Sequence, residues 1–131
     1  MLNPTPGAQT LCRVERDLAA WETAWSSDAA LPRIFADGLA DNPGIRFMAH
    51  LVEGRIVAGG ILNLAAGAVG VSNVFAPAGQ VAAQWRALAS SAAAIWPGLS
   101  VVAWEPEDTL APVLAAGFHR IGPMSVWLSR G

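Results

Sequence analysis

Residues 100–128, SVVAWEPEDTLAPVLAAGFHRIGPMSVWL, decide how this chain folds. Ser100 to Trp104 is a short apolar run suited to a buried strand. Glu105-Pro106-Glu107-Asp108 supplies helix-start signals, with acids in the first turn and a proline that needs no amide donor there. Leu110, Val113 and Leu114 stand at i, i+3 and i+4 and give one apolar helix face. Gly117 falls where a left-handed residue would end that helix. Phe118 to Leu128 reads as a returning strand. The segment is therefore strand, helix, tight turn, strand.

Upstream, Gln80 to Trp96 is a long alanine-rich helix stopped by Pro97-Gly98. Before it come three consecutive strands, Arg46–Val52, Arg55–Leu64 and Ala68–Phe75. Glu53-Gly54 and Ala66-Gly67 mark the turns between them. Gln9–Val14 reads as a first strand and Asp17–Trp25 as a helix, with Leu18, Trp21 and Trp25 on adjacent turns. A further helix is expected over Leu31–Leu39, then a loop at Asp41-Asn42-Pro43-Gly44. Residues 1–8 read as a loose terminus of a single domain over 1–131. The order predicts an α+β fold, a mixed twisted sheet of about six strands flanked by helices. The strand at 100–104 should lie parallel to that at 68–75, and the two should diverge at their far ends.

The chain has 131 residues, of which 53% are hydrophobic and 14% charged, against roughly 25% charged in an average domain. So few charges leave apolar surface to bury, and a homodimer is expected. A net charge of −2 offers no basic footprint, so nucleic acid is not an expected partner. Every basic residue is arginine and tyrosine is absent, a bias of the kind a GC-rich bacterial genome produces. Cys12 is the single cysteine, which excludes a disulfide framework and a cysteine-built zinc site. No charged segment followed by an apolar core opens the chain, so no signal peptide and a cytoplasmic location are expected. The uncharged run from Ile56 to Trp85 is long enough to span a bilayer, but its glycines and Pro77 cut it into strand-length pieces.

The element order resembles the GNAT superfamily of acyl-CoA-dependent N-acetyltransferases over about residues 9–128. The residues that carry the resemblance are the hairpin Glu53-Gly54-Arg55-Ile56-Val57-Ala58-Gly59-Gly60, the strand-to-helix step at 68–85, and the Ala116-Gly117-Phe118 turn. It implies acetyl-CoA as cofactor, an amine of unknown identity as acceptor, and a cofactor site on Val74, Phe75, Ala76, Gln80, Val81, Ala82 and Ala83. It also implies Glu105 as a general base and Ser72 beside the amine. The family's phosphate-binding motif runs Gln or Arg, two residues, Gly, one residue, then Gly or Ala. Here Gln80 fits, Ala83 replaces the first Gly, and Trp85 stands where Gly or Ala is usual. Many members carry a tyrosine four residues before the Gly of the Gly-Phe pair, where this chain has Val113. These departures leave a second expectation beside the enzyme: a non-catalytic binding or interaction module on the same scaffold.

Other constellations are weak. His50 in a strand is expected to be hydrogen-bonded, and no partner of His119 stands at metal-ligand spacing, so no metal site is expected. Ser90-Ser91 has no histidine at a usable spacing. The six tryptophans are expected in packing roles, and Arg46 and Arg55 are expected in solvent.

Overall fold

The computed structural model describes residues 11–14, 18–26, 41–122 and 125–128. The expected loose terminus at 1–8 and the helix at Leu31–Leu39 lie outside the described residues. In chain order the elements are β1 (Leu11–Val14), α1 (Leu18–Ser26), β2 (Ile45–Val52), β3 (Arg55–Ala65), β4 (Ala68–Phe75) and α2 (Val81–Ile95). Then follow β5 (Ser100–Trp104), a 3-10 turn (Glu107–Thr109), α3 (Ala111–Ala115), β6 (His119–Arg120) and β7 (Ser125–Leu128). The strands form one mixed sheet in the order β1-β2-β3-β4-β5-β7-β6. β4 and β5 pair parallel across α2, and the other neighbours pair antiparallel.

Both hairpins turn on a dipeptide that supplies two positive φ angles, Glu53-Gly54 at 52° and 78° and Ala66-Gly67 at 53° and 77°. That is the twist a two-residue hairpin needs. The sheet is covered on both faces. On one, α2 lays Trp85, Leu88, Ala89 and Ala92 onto Leu62, Val69, Val71 and Val101, with Leu110, Val113 and Phe118 completing the core. On the other, α1 lays Leu18 and Trp21 onto Phe47, Ala49 and Ile61. Adjacent glycines in β3 serve one layer each. A Cβ at Gly60 would lie 2.6 Å from Leu88 of α2, and a Cβ at Gly59 would lie 2.5 Å from the Met48 carbonyl and 2.9 Å from the Phe75 ring. Leu88 can rotate away but a carbonyl in the sheet cannot. Gly59→Ala should therefore cost more stability than Gly60→Ala, about 1–3 kcal/mol as overpacking. Urea unfolding of the two variants would check the order.

The end of the chain differs from expectation in two ways. The segment from Phe118 to Leu128 is not one strand: β6 and β7 pair with each other, His119 opposite Trp127 and Arg120 opposite Val126. The chain doubles back here, and Gly122-Pro123 interrupts the apolar run in sequence. The helix expected from Glu105-Pro106 makes only the 3-10 turn first. Its α-helical part starts at Ala111, with Pro112 in the first turn where its missing N–H costs nothing. It ends as the sequence predicts. Gly117 has φ 106°, its N–H donates to the Leu114 carbonyl, and the Phe118 N–H reaches the Val113 carbonyl. This is the paired-bond cap that a left-handed glycine permits. Outside the core, Arg120 pairs with Glu107 and ties β6 to the 3-10 turn, which holds the Glu107 carboxyl below the usual range, first through the hydrogen bond.

Candidate functional site

The sheet forks at its centre. β4 and β5 are in register only over Ala68–Ser100, Val69–Val101 and Gly70–Val102. Beyond that point neither strand has the other as a partner. The cause lies in β4. Between its pairings with β3, Ile61 opposite Ser72 and Gly59 opposite Phe75, β4 carries one extra residue. Asn73 takes up the excess with φ 54°. A bulge of this kind bends the strand and resets its alternation. Val74 consequently packs on the α2 layer and Phe75 on the α1 layer. Ser72 and Asn73 therefore do not simply alternate between the faces, because Asn73 is not extended.

Above the fork, Ala76 to Gln80 lead into α2. Gly79 has φ 83° and Gln80 caps the helix without a side-chain bond. The Gln80 N–H is taken by the Pro77 carbonyl, and the Gln84 N–H by the Gln80 carbonyl. The N–H groups of Val81, Ala82 and Ala83 have no carbonyl one helical turn earlier to reach, as at every helix start. A helix of this length adds a partial positive charge at that end. Ala83 is exposed and Trp85 is not: its indole is 2% exposed and meets Phe118 edge-on at 5.7 Å. The tryptophan that replaces a small residue in the motif thus points inward, away from the loop amides. Arg86, one residue on, bonds the Ala115 carbonyl at 3.2 Å and links α2 to α3.

Under the first turns of α2 lies a cavity of about 70 Å³ lined by His50, Gln80 and Gln84 among small apolar residues. His50, expected to be hydrogen-bonded, has Nδ1 2.8 Å from Gln84 Oε1. Gln84 is 4% exposed, and its buried Nε2 has no protein partner. A void of that size admits water, which such a group needs.

On the opposite face of the fork is a cleft of about 280 Å³. Ser72, Asn63, Gly70 and Val102 line it, and Trp104 stands at the end of β5 with 75% of its surface exposed. Trp104 is not a packing residue, contrary to expectation. The signal was present in β5, where Val101 and Ala103 are buried and alternation must turn Val102 and Trp104 the other way. Asn63 was missed as well; it faces the same side as its pairing partner Gly70. Glu105, next after Trp104, accepts a hydrogen bond from Thr109 Oγ1 at 2.8 Å and does not line the cleft. Ser72 does.

Contacts place two other side chains. Arg46 is not in solvent: its guanidinium lies 5.4 Å over the Trp96 ring, with Nε buried. Cys12 donates Sγ–H to the Ala49 carbonyl at 3.4 Å. It lines a cavity of about 650 Å³ against α1 and the β2–β3 turn, which is remote from the fork. Among the described residues no helix is long and apolar enough to cross a membrane, and no three His, Cys, Asp or Glu side chains cluster as metal ligands.

No protein-family model matches the chain. No curated protein matches it either. Solved structures do. ElaA of Escherichia coli superposes with a TM-score of 0.72 at 11% identity, over 92% of this chain and 98% of that one. An acyl-CoA N-acyltransferase from Pseudomonas aeruginosa gives 0.70 at 15% identity, over 92% and 97%. The aminoglycoside N-acetyltransferase AAC(6')-Ib11 gives 0.66 at 13% identity, over 92% and 96%. At such identities the likeness speaks for architecture alone, and the chain has the GNAT fold.

Proposed function

We propose that the protein is an acyl-CoA-dependent N-acetyltransferase acting on an amine. The observation that carries this reading is the fork itself. Two parallel strands part at a bulge, directly below a helix start whose amides are uncapped, and a cleft carrying Ser72 and Asn63 opens on the far face.

The residues at the helix start suit a pyrophosphate. The amides of Val81, Ala82 and Ala83 and the Gln80 side chain offer donors at the positive end of α2, and Gly79 leaves the approach open. The backbone of Val74, Phe75 and Ala76 edges the fork beside them. Bound acetyl-CoA would supply an activated thioester. Ser72 Oγ, in the cleft, would hold the amine by accepting its N–H. Glu105, outside the cleft with its carboxylate fixed by Thr109, would take through a water the proton that the amine loses as the C–N bond forms and the C–S bond breaks. The leaving sulfur would draw its proton from solvent. Val113 stands where many relatives carry a tyrosine, and it is fully buried. Lacking that acid forgoes a factor of about 10²–10⁴, so turnover should be slow.

One observation favours the second reading, a non-catalytic module. Trp85 and Phe118 meet between α2 and the turn after α3, so large side chains pack the helix side of the fork. Thermal melting with and without excess acetyl-CoA separates the two. Ligand at a hundred times its dissociation constant adds about 2.7 kcal/mol, which should raise the melting temperature by several degrees. An unchanged melting temperature at millimolar acetyl-CoA would leave the non-catalytic reading.

A further inference from the structure

We propose that the cleft across the fork takes a small monoamine carrying an aromatic or apolar body, with Trp104 as the residue that selects it. The proposal rests on the acetyltransferase reading and names its acceptor class.

The first argument is charge. Among the described residues that line the cleft, none is charged: the polar groups are the Asn63 amide and the Ser72 hydroxyl, set among alanines, Gly70 and Val102. These two can hold one ammonium or amine by accepting its N–H groups. A second or third ammonium would meet no carboxylate among the described lining residues, and an unpaired cation that loses water is costly. A polycationic acceptor such as an aminoglycoside therefore fits poorly. The second argument is size. Pockets of roughly 300–1,000 Å³ hold drug-sized ligands, and this cleft is about 280 Å³, which suits a one-ring amine. The third is Trp104. An indole left three-quarters in water at the cleft mouth contributes little to the core. An aromatic ring stacked on it would bury apolar surface from both partners. A ring on Trp104 would leave the amine of a short side chain within the cleft that Ser72 and Asn63 also line.

Calorimetric titration with 2-phenylethylamine, and with kanamycin for comparison, tests this without depending on turnover. We expect 2-phenylethylamine to bind and kanamycin to bind more weakly. Trp104→Ala should weaken 2-phenylethylamine about tenfold, and Trp104→Phe should largely restore it. Because Trp104 is exposed, neither variant should move the melting temperature of the free protein or any shift produced by acetyl-CoA. No binding of 2-phenylethylamine, tighter binding of kanamycin, or an unchanged affinity in Trp104→Ala would overturn the proposal. Amine binding that depends on Trp104, in a protein whose melting acetyl-CoA leaves unmoved, would keep the cleft's selectivity and remove acetyl transfer.

Discussion

Trp85→Ala should destabilise the protein by about 3–5 kcal/mol, the cost of emptying a tryptophan site in a packed core. The midpoint and slope of urea unfolding would measure it. The side chain is all but sealed from water, and its edge-on partner Phe118 is equally buried. Around them stand Leu110, Val113 and Ala116 of the α3 segment and Val71 and Ala103 of the fork strands. Among the described residues, these neighbours all belong to helices, strands or the turn between them, so most of the cavity should persist. Phe118→Ala should cost a similar amount. The double variant should cost less than the sum, because the two rings touch and their contact is worth about 0.5–1.5 kcal/mol beyond area. A domain with about 5–15 kcal/mol in hand would survive either single change near the lower margin. A loss under 1 kcal/mol would show that the indole does not bridge α2 to the α3 turn. The same residue bears on function. If Trp85→Ala melts earlier yet gains a stabilising shift with acetyl-CoA that the parent lacks, the indole is what closes the fork.

How far the sequence led depends on how local each determinant is. β4 and β5 were legible to the residue, since each is an apolar run bounded by its own turn signal, Ala66-Gly67 and Pro77-Ala78-Gly79 for one and Pro97-Gly98 and Pro106 for the other. The cap at Gly117 was legible for the same reason: a left-handed residue ends a helix wherever it stands. Three features were not. The bulge at Asn73 shows only in the register against β3, because an extra residue looks like any other strand residue until its partner strand is known. Arg46 reads as a surface charge, and only the approach of Trp96 from the far end of α2 gives its stem cover. The reversal from β6 to β7 needs the pairing itself, since the apolar residues on either side of Gly122-Pro123 suit one strand or two. The candidate site divides along the same line. Gln80 and the loop before α2 came from motif spacing. Trp104 and Asn63 emerged from which strand faces lie side by side across the fork.

Trp21→Ala should be the other severe substitution, again about 3–5 kcal/mol by urea unfolding, and it acts on the opposite layer. Trp21 is fully buried and meets Phe47 edge-on at 4.9 Å and Phe75 edge-on at 5.4 Å. Trp25, one turn later, stacks on it at 6.2 Å. Its Nε1–H donates to the Met48 carbonyl at 2.9 Å. Trp21→Phe separates the two contributions. The smaller ring keeps much of the burial but leaves a carbonyl under α1 without that donor, a penalty of about 1–3 kcal/mol. The Met48 carbonyl is also the group that a Cβ at Gly59 would strike. Trp21, Met48, Gly59 and Phe75 therefore form one contact set, and Gly59→Ala combined with Trp21→Phe should depart from additivity. Phe75 carries the effect to the site. It is the last residue of β4, just past the bulge, and its ring is held by α1 while the chain beyond it becomes the loop into α2. Loosening Trp21 frees that ring first, so hydrogen exchange should rise at Phe75 and Ala76 before it rises at Val69 and Val101 in the other layer. Equal acceleration in both layers would mean that the two cores unfold as one unit and that α1 does not selectively hold the end of β4.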